Sequence, residues 1–274
     1  MKILEETAQL VRNHIGRDMD NITVDRLVVG LFFTGVKLSN NAGGICYTPI
    51  KDIPQAVCCP TSAGRIFDPS KAPGMGADEI LAGLSSTEPI KTAVAIATLN
   101  ALSSVCWDRG ITCNYSITRN MDAQDAVNMP AEKSVAVVGA FVPTLRALKN
   151  RGGTWWVIEQ DPKTLKEDEL DHFVAAERST ETIGEADVLI ITGVTLVNHT
   201  LEGILHAARP DAEIAVMGPT ASLLPEPMFE RGVSIVGGVK VTRLDELLDL
   251  LAAGGSGYHF FDKLADRIVM IKEE

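Results

Sequence analysis

Residues 134–159 read SVAVVGAFVPTLRALKNRGGTWWVIE, and this stretch decides the fold. Residues 134–138 form an apolar run that stops at Gly139. The segment PTLRALKNRG (143–152) has helical spacing, carries Pro143 where a first turn tolerates it, and ends in glycine. WWVIE (155–159) is a second short apolar run. Strands apolar on both faces need cover on both faces, which is the condition of a parallel sheet between helical layers.

Downstream the theme repeats. DVLIITG (187–193), EIAVMG (213–218) and VSIVGG (233–238) read as further strands. LVNHTLEGILHAA (196–208), PEPMFERG (225–232) and LDELLDLLAAGG (244–255) read as the helices between and after them, and RIVMI (267–271) as a last edge strand. The alternation predicts a Rossmann-like, doubly wound, mostly parallel α/β sheet over residues 133–274.

Upstream the pattern changes. The first segment has helical spacing through Ile3, Leu10, Val11, His14 and Ile15. ITVDRLVVGLFFTGVKLSN (22–40) suggests one or two strands turning near Gly35; NNAGG (40–44) breaks the pattern and ICYTPI (45–50) resumes it. Residues 51–89 are rich in Pro and Gly and suggest loops with one or two short helices. Residues 86–107 hold the strongest helix, apolar all round and therefore expected to be buried. ITCNYSI (111–117) allows another short strand, and TRNMDAQDAVNMPAEK (118–133) reads as a connection. The expectation is an α+β unit over 1–120 followed by the α/β unit over 133–274.

Composition narrows the function. The net charge of −11 comes without any basic stripe, which argues against a nucleic-acid partner. No run of 18 apolar residues occurs, so no membrane span is expected, and the acidic, amphipathic start does not read as a signal peptide. Five cysteines, an odd number, fit reduced thiols in a cytoplasm better than a disulfide framework. Cys46 reads as a core thiol, whereas Cys58 and Cys59 are weak candidates for a soft-metal ligand or a nucleophile. Scattered histidines, with no C-x-x-C and no H-E-x-x-H, argue against a dedicated zinc motif. A homo-oligomer is left open.

Ligands of open parallel sheets bind beyond the carboxyl ends of the strands. That rule selects Gly139 and Phe141, then Glu159, then Thr192, Gly193, Thr195 and Asn198, then Gly218, Pro219 and Thr220. One glycine stands where a dinucleotide fingerprint needs three, which argues against NAD. Glu159 is placed to accept ribose hydroxyls, including those of S-adenosylmethionine; a solvated loop glutamate is the alternative. The Thr192–Asn198 cluster suits an anion at a helix start or plain capping, worth about 1 kcal/mol per residue. Lys37, Asn40, Asn41 and Gly43 form a polar turn that closes an interdomain cleft if it faces the strand ends; a plain hairpin tip has the same sequence. Lys37 is the one candidate base, through burial beside a ligand.

VAVVGAF (135–141), VIEQDP (157–162), ITGVTLVNHTLEGIL (191–205) and GPTASLLPEPMFERGVSIVGGVKV (218–241) together resemble the DUF364 family, called a "putative heavy-metal chelation" domain. VVGLFFTGVKLSNNAGGICYTP (28–49) and KTAVAIATLNAL (91–102) resemble its companion, the DUF4213 domain. The resemblance implies an enolase-N-terminal-like first unit, a Rossmann-like second unit and a site formed by both. It also implies binding or modification of a small metal-chelating or heterocyclic compound of pterin, flavin or siderophore type. Two other functions stay open: an enzyme using S-adenosylmethionine or another nucleotide cofactor, and a non-catalytic carrier or sensor of a metal chelate.

Overall fold

The computed structural model describes residues 2–53 and 68–273. Its helices are α1 (Lys2–Ile15), α2 (Ala77–Leu81), α3 (Pro89–Asp108), α4 (Ala123–Ala126), α5 (Val142–Arg151) and α6 (Thr180–Glu185), then α7 (Val194–Val197), α8 (Leu201–Ala207), α9 (Glu226–Phe229), α10 (Leu244–Ala252) and α11 (Gly257–Phe260). The strands are β1 (Val24–Val29), β2 (Phe33–Leu38), β3 (Gly43–Tyr47), β4 (Tyr115–Arg119), β5 (Val135–Val138) and β6 (Trp155–Glu159), then β7 (Phe173–Ala175), β8 (Val188–Thr192), β9 (Glu213–Met217), β10 (Ile235–Val241) and β11 (Ala265–Lys272).

The valine-rich runs do form the parallel sheet. Eight strands lie in the order β4-β11-β10-β9-β8-β5-β6-β7. The six from β10 to β7 are parallel, and β11 and β4 continue antiparallel at one edge. Numbered along the chain from β5, the parallel strands run 3-2-1-4-5-6, the doubly wound order whose direction reverses between β5 and β8. Alternate side chains go to opposite layers. Ala136, Val138, Leu189, Ile191 and Val216 join one core cluster, and Val135, Val137, Val188, Ile190 and Ala215 join the other. Burying one such side chain stabilises the fold by about 1.5–3 kcal/mol.

The first unit rests on one layer of this sheet. Its strands form an antiparallel meander, β1-β2-β3, and α3 lies between the meander and the large sheet. Helix α3 has the length and hydropathy of a membrane span, but 83% of its most apolar window is buried inside the protein. Ile3, Leu4 and Val11 of α1, Leu99 and Leu102 of α3, and Leu189 and Val216 of the large sheet belong to one continuous cluster. The hydrophobic core therefore crosses from one unit to the other.

Three expectations change, and one strand is added. Gly35 is not a turn; it sits inside β2, where a Cβ would come within 2.6 Å of the Leu248 side chain, and the turns fall at residues 30–32 and 39–42. The strand β4, expected in the first unit, is the outer strand of the large sheet because its partner β11 lies some 150 residues away. The helix expected over 196–208 is broken into α7 and α8 by His199, whose φ of 59° no α-helix accommodates. The edge strand β7 was not expected at all; it has three half-buried residues, too few to show a period.

Candidate functional site

The site begins with the turn after β5. Gly139 takes φ +98°, and a Cβ there would lie 3.0 Å from Cβ of Thr192, so only glycine lets the chain turn this close to β8. The Phe141 amide donates to the Gly139 carbonyl at 3.0 Å, and α5 starts at the next residue. Glu159, ending β6, accepts from the Ala140 amide at 2.9 Å and from the Gln160 amide at 3.1 Å. Its carboxylate thus ties the ends of two neighbouring strands together. Glu159 is a loop staple that also lines a cavity.

That cavity has a volume of about 440 Å³ and opens above the carboxyl ends of β5, β6 and β8. Small-molecule sites occupy roughly 300–1,000 Å³. Val138, Ile158, Ile183 and Ile204 contribute apolar surface, and Gln160, Asp161, Thr164 and Ser179 contribute polar groups. On the β8 side stand Thr192, Thr195 and Asn198. The Thr195 hydroxyl donates to the Thr192 carbonyl at 2.7 Å, and the Thr192 hydroxyl accepts from the Val194 amide at 3.3 Å. Asn198 Oδ1 accepts from the amide and the hydroxyl of Thr200 at 3.2 and 2.7 Å. These side chains are capping groups with faces turned to the cavity.

The first unit contributes Tyr47, Lys51 and Asp52 to the same cavity. Tyr47 ends β3, and its amide donates to Oγ1 of Thr220 at 3.0 Å, which fixes the strand end over the large sheet. Burial, reinforced by the negative charges of Asp52 and Glu159, holds the Tyr47 phenol above the usual range. The phenol therefore stays protonated and can donate. A second cavity of about 240 Å³, between Pro49, Ser86, Thr92 and His199, shares Asp52, Val194 and Asn198 with the first.

Of the residues selected from the sequence, Gly139, Phe141, Glu159, Thr192, Thr195 and Asn198 line the cavity. Gly193, Gly218, Pro219 and Thr220 do not. A Cβ on Gly193 would meet the Ala221 amide nitrogen at 3.1 Å, and Gly218 (φ +119°) begins a turn pressed against the first unit. In that turn the Pro219 and Thr220 carbonyls accept from Asn100 Nδ2 at 3.3 and 3.1 Å. Strand-end geometry located this turn correctly, but its polar groups are spent on the joint between units.

The polar turn of the first unit lies away from this cavity. Lys37, Asn40, Asn41 and Gly43 are absent from the cavity wall. They lie toward the start of β3, whereas Tyr47 lies at its end, roughly 13 Å along a five-residue strand. Asn40 Oδ1 caps the Ala42 amide at 3.1 Å, and Asn41 takes φ 62°. A Cβ on Gly43 would strike the Leu244 side chain at 2.3 Å. Lys37 Nζ donates to both oxygens of Asp245 at 2.9 and 3.0 Å and lies 3.6 Å from Asp25. Those carboxylates, Asp245 first, raise its pKa, the opposite of what a base requires.

Tyr47, Lys51 and Asp52 were missed, although an aromatic residue closing a strand two positions before a proline was a usable signal. Cys46 is a core thiol as expected, pushed far up by burial. Cys58 and Cys59 lie outside the described residues.

Two family models with the description "Putative heavy-metal chelation" match the chain: DUF364 over residues 122–270 and DUF4213 over residues 12–103. An uncharacterized protein of Methanocaldococcus jannaschii is 25% identical over 184 residues, 67% of each chain. The crystal structure of a protein of unknown function from the DUF364 family of Pyrococcus horikoshii superposes with a TM-score of 0.76 at 20% identity, over 97% of this chain and 98% of that one. Another DUF364 protein of unknown function, from Desulfitobacterium hafniense, gives 0.70 at 20% identity over 98% and 99%.

Proposed function

The chain belongs to the DUF364 family, and from that premise we propose that it binds a small, metal-chelating heterocyclic compound in the cleft between its two units. One observation carries the reading. Among the described residues, three carboxylates, Asp52, Glu159 and Asp161, face the cavity against one lysine, Lys51, and both units supply the carboxylates. A bare organic anion would be repelled by that surplus, whereas a chelate carrying a positive metal is attracted. The apolar surface of Val138, Ile158 and Phe141 offers a flat ring a place to lie, and the protonated Tyr47 phenol offers it a donor.

Binding without turnover is the form supported here. The hydroxyls of Thr192, Thr195 and Ser179 and the Asn198 carboxamide oxygen are engaged in capping or turn hydrogen bonds. A nucleotide cofactor is the second reading, favoured by the acidic residue at the end of β6 in a doubly wound sheet. Against it stands the engagement of both Glu159 oxygens by backbone amides.

The test is native mass spectrometry and elemental analysis of protein purified without chelators, with titration of iron complexes of catechol and pterin ligands. We expect an organic mass with a metal isotope pattern, and binding at least tenfold weaker in Asp52→Asn/Asp161→Asn at an unchanged melting temperature. A nucleoside mass would transfer the cleft to the second reading. A bare polypeptide that binds none of the iron complexes would refute the proposal.

A further inference from the structure

Away from the cleft, three residues from three elements converge. His14 is in the last turn of α1, Cys113 precedes β4, and Glu226 opens α9. One imidazole nitrogen, the Cys113 sulfur and one Glu226 carboxylate oxygen all lie within 4.8 Å of one another. We propose that His14, Cys113 and Glu226 form a binding site for a borderline divalent cation of the zinc type, separate from the cleft and independent of the function proposed for it.

A second observation points to a ligand. Glu226 Oε2 is sealed from solvent and has no hydrogen-bond partner. A buried carboxylate oxygen left bare is unfavourable unless a proton or a cation satisfies it. No lysine or arginine pairs with Glu226 among the described ion pairs, although Arg231, on the same side of the molecule, is engaged by Glu6. The groups that converge with Glu226 in this cluster are a thiol and an imidazole, both of which can ligate a metal.

The donor chemistry selects the metal. One nitrogen, one sulfur and one oxygen match the ligands of zinc, whereas thiolate disfavours magnesium and calcium. A divalent cation with one thiolate, one carboxylate and one neutral imidazole forms a neutral unit, suited to a half-buried position. Zinc-type bonds of about 2.0–2.3 Å place tetrahedral donors roughly 3.5 Å apart, so donors already within 4.8 Å of one another need close by little more than about 1 Å on binding. Cys113 is exposed and sits in a loop, so its side chain is free to make that movement. Three protein ligands leave a fourth position for water or an incoming group.

The site is also a staple. It joins the end of α1, in the first unit, to a loop and a helix that flank β4 and β9. Metal binding to the native form alone raises the melting temperature by mass action.

The test uses the full chain, stripped of metal and titrated with cobalt(II) and then zinc. Wild type is expected to show a thiolate-to-cobalt charge-transfer absorption that zinc abolishes, with a raised melting temperature. Cys113→Ser loses the absorption; His14→Gln and Glu226→Gln weaken cobalt binding at least tenfold. Cys58→Ser/Cys59→Ser and the cleft variant Asp52→Asn/Asp161→Asn retain it, which separates this site from the cleft. The proposal is overturned if wild type shows no thiolate band, if the band follows Cys58 and Cys59, or if it is indifferent to His14 and Glu226. Should Glu226→Gln unfold, the surface variants His14→Gln and Cys113→Ser decide the matter alone.

Discussion

The cleft and the joint beside it are made of the same kinds of residue put to opposite uses. At the joint, Gly44 lies so close to α3 that a Cβ would come within 2.2 Å of the Ala97 carbonyl oxygen and 2.4 Å of the Ala101 amide nitrogen. Asn100, almost fully buried, spreads its Nδ2 over the carbonyls of Ile45, Pro219 and Thr220. Ser103 accepts from the Leu224 amide. Apart from Asn100 Oδ1, which is buried without a hydrogen-bond partner, the polar groups named there meet other polar groups of the chain. In the cleft, Asp52 and Asp161 face an opening of about 440 Å³. The joint closes the two units against each other, whereas the cleft leaves an opening even though Asp161 Oδ1 already caps the Lys163 amide at 3.0 Å.

The sharpest break of that comparison is Gly44→Ala. Its obstacle is the backbone of α3, which cannot yield without moving the helix, so we expect a loss of roughly 3 kcal/mol or more in denaturant unfolding. Gly43→Ala meets only the flexible tip of Leu244 and costs far less. An equal effect of the two would mean that α3 does not constrain β3. Next comes Asn100→Ala, which strips donors from three carbonyls at once and costs about 2–3 kcal/mol by the same measurement. It also loosens the seat of Tyr47, so ligand binding in the cleft weakens along with stability. The cleft carboxylates give the inverse pattern, with affinity lost while unfolding free energy changes by less than about 0.5 kcal/mol. The smallest effect belongs to Lys37→Met. Its ion pairs with the well-exposed Asp245 and Asp25 are screened by solvent and contribute little, and cleft binding stays as in wild type. A binding defect in that variant would return the polar turn to the site.

Much of the second unit was legible because the information is local. A run such as VAVV is buried on both faces wherever it lies in a parallel sheet, and Gly139 with Pro143 marks a strand-to-helix turn by backbone geometry alone. Half of the cleft wall followed from the rule that strand ends carry the site. The first unit was legible only as elements. Gly35, Gly43 and Gly44 look like turn residues in a string of letters. Only the neighbours Leu248, Leu244 and Ala97, between 50 and 213 residues away, show that they are sites of close packing. Lys37 and Tyr47 flank the same hairpin, and nothing local says which of them faces the large sheet.

The sequence by itself determined the family, the parallel α/β sheet, the buried central helix and the strand-end stretches from which one side of the cleft is built. Each of these depends on periodicity, on backbone-restricted residues or on the order of motifs, all of which act over a few positions. The tertiary structure decided which polar residues are consumed at the joint, which end of β3 roofs the cleft, and that His14, Cys113 and Glu226 meet. Those outcomes rest on contacts between segments about 100 to 200 residues apart. They are set by how α3 docks the meander onto the sheet, because local pattern fixes which residues are buried but not what they are buried against.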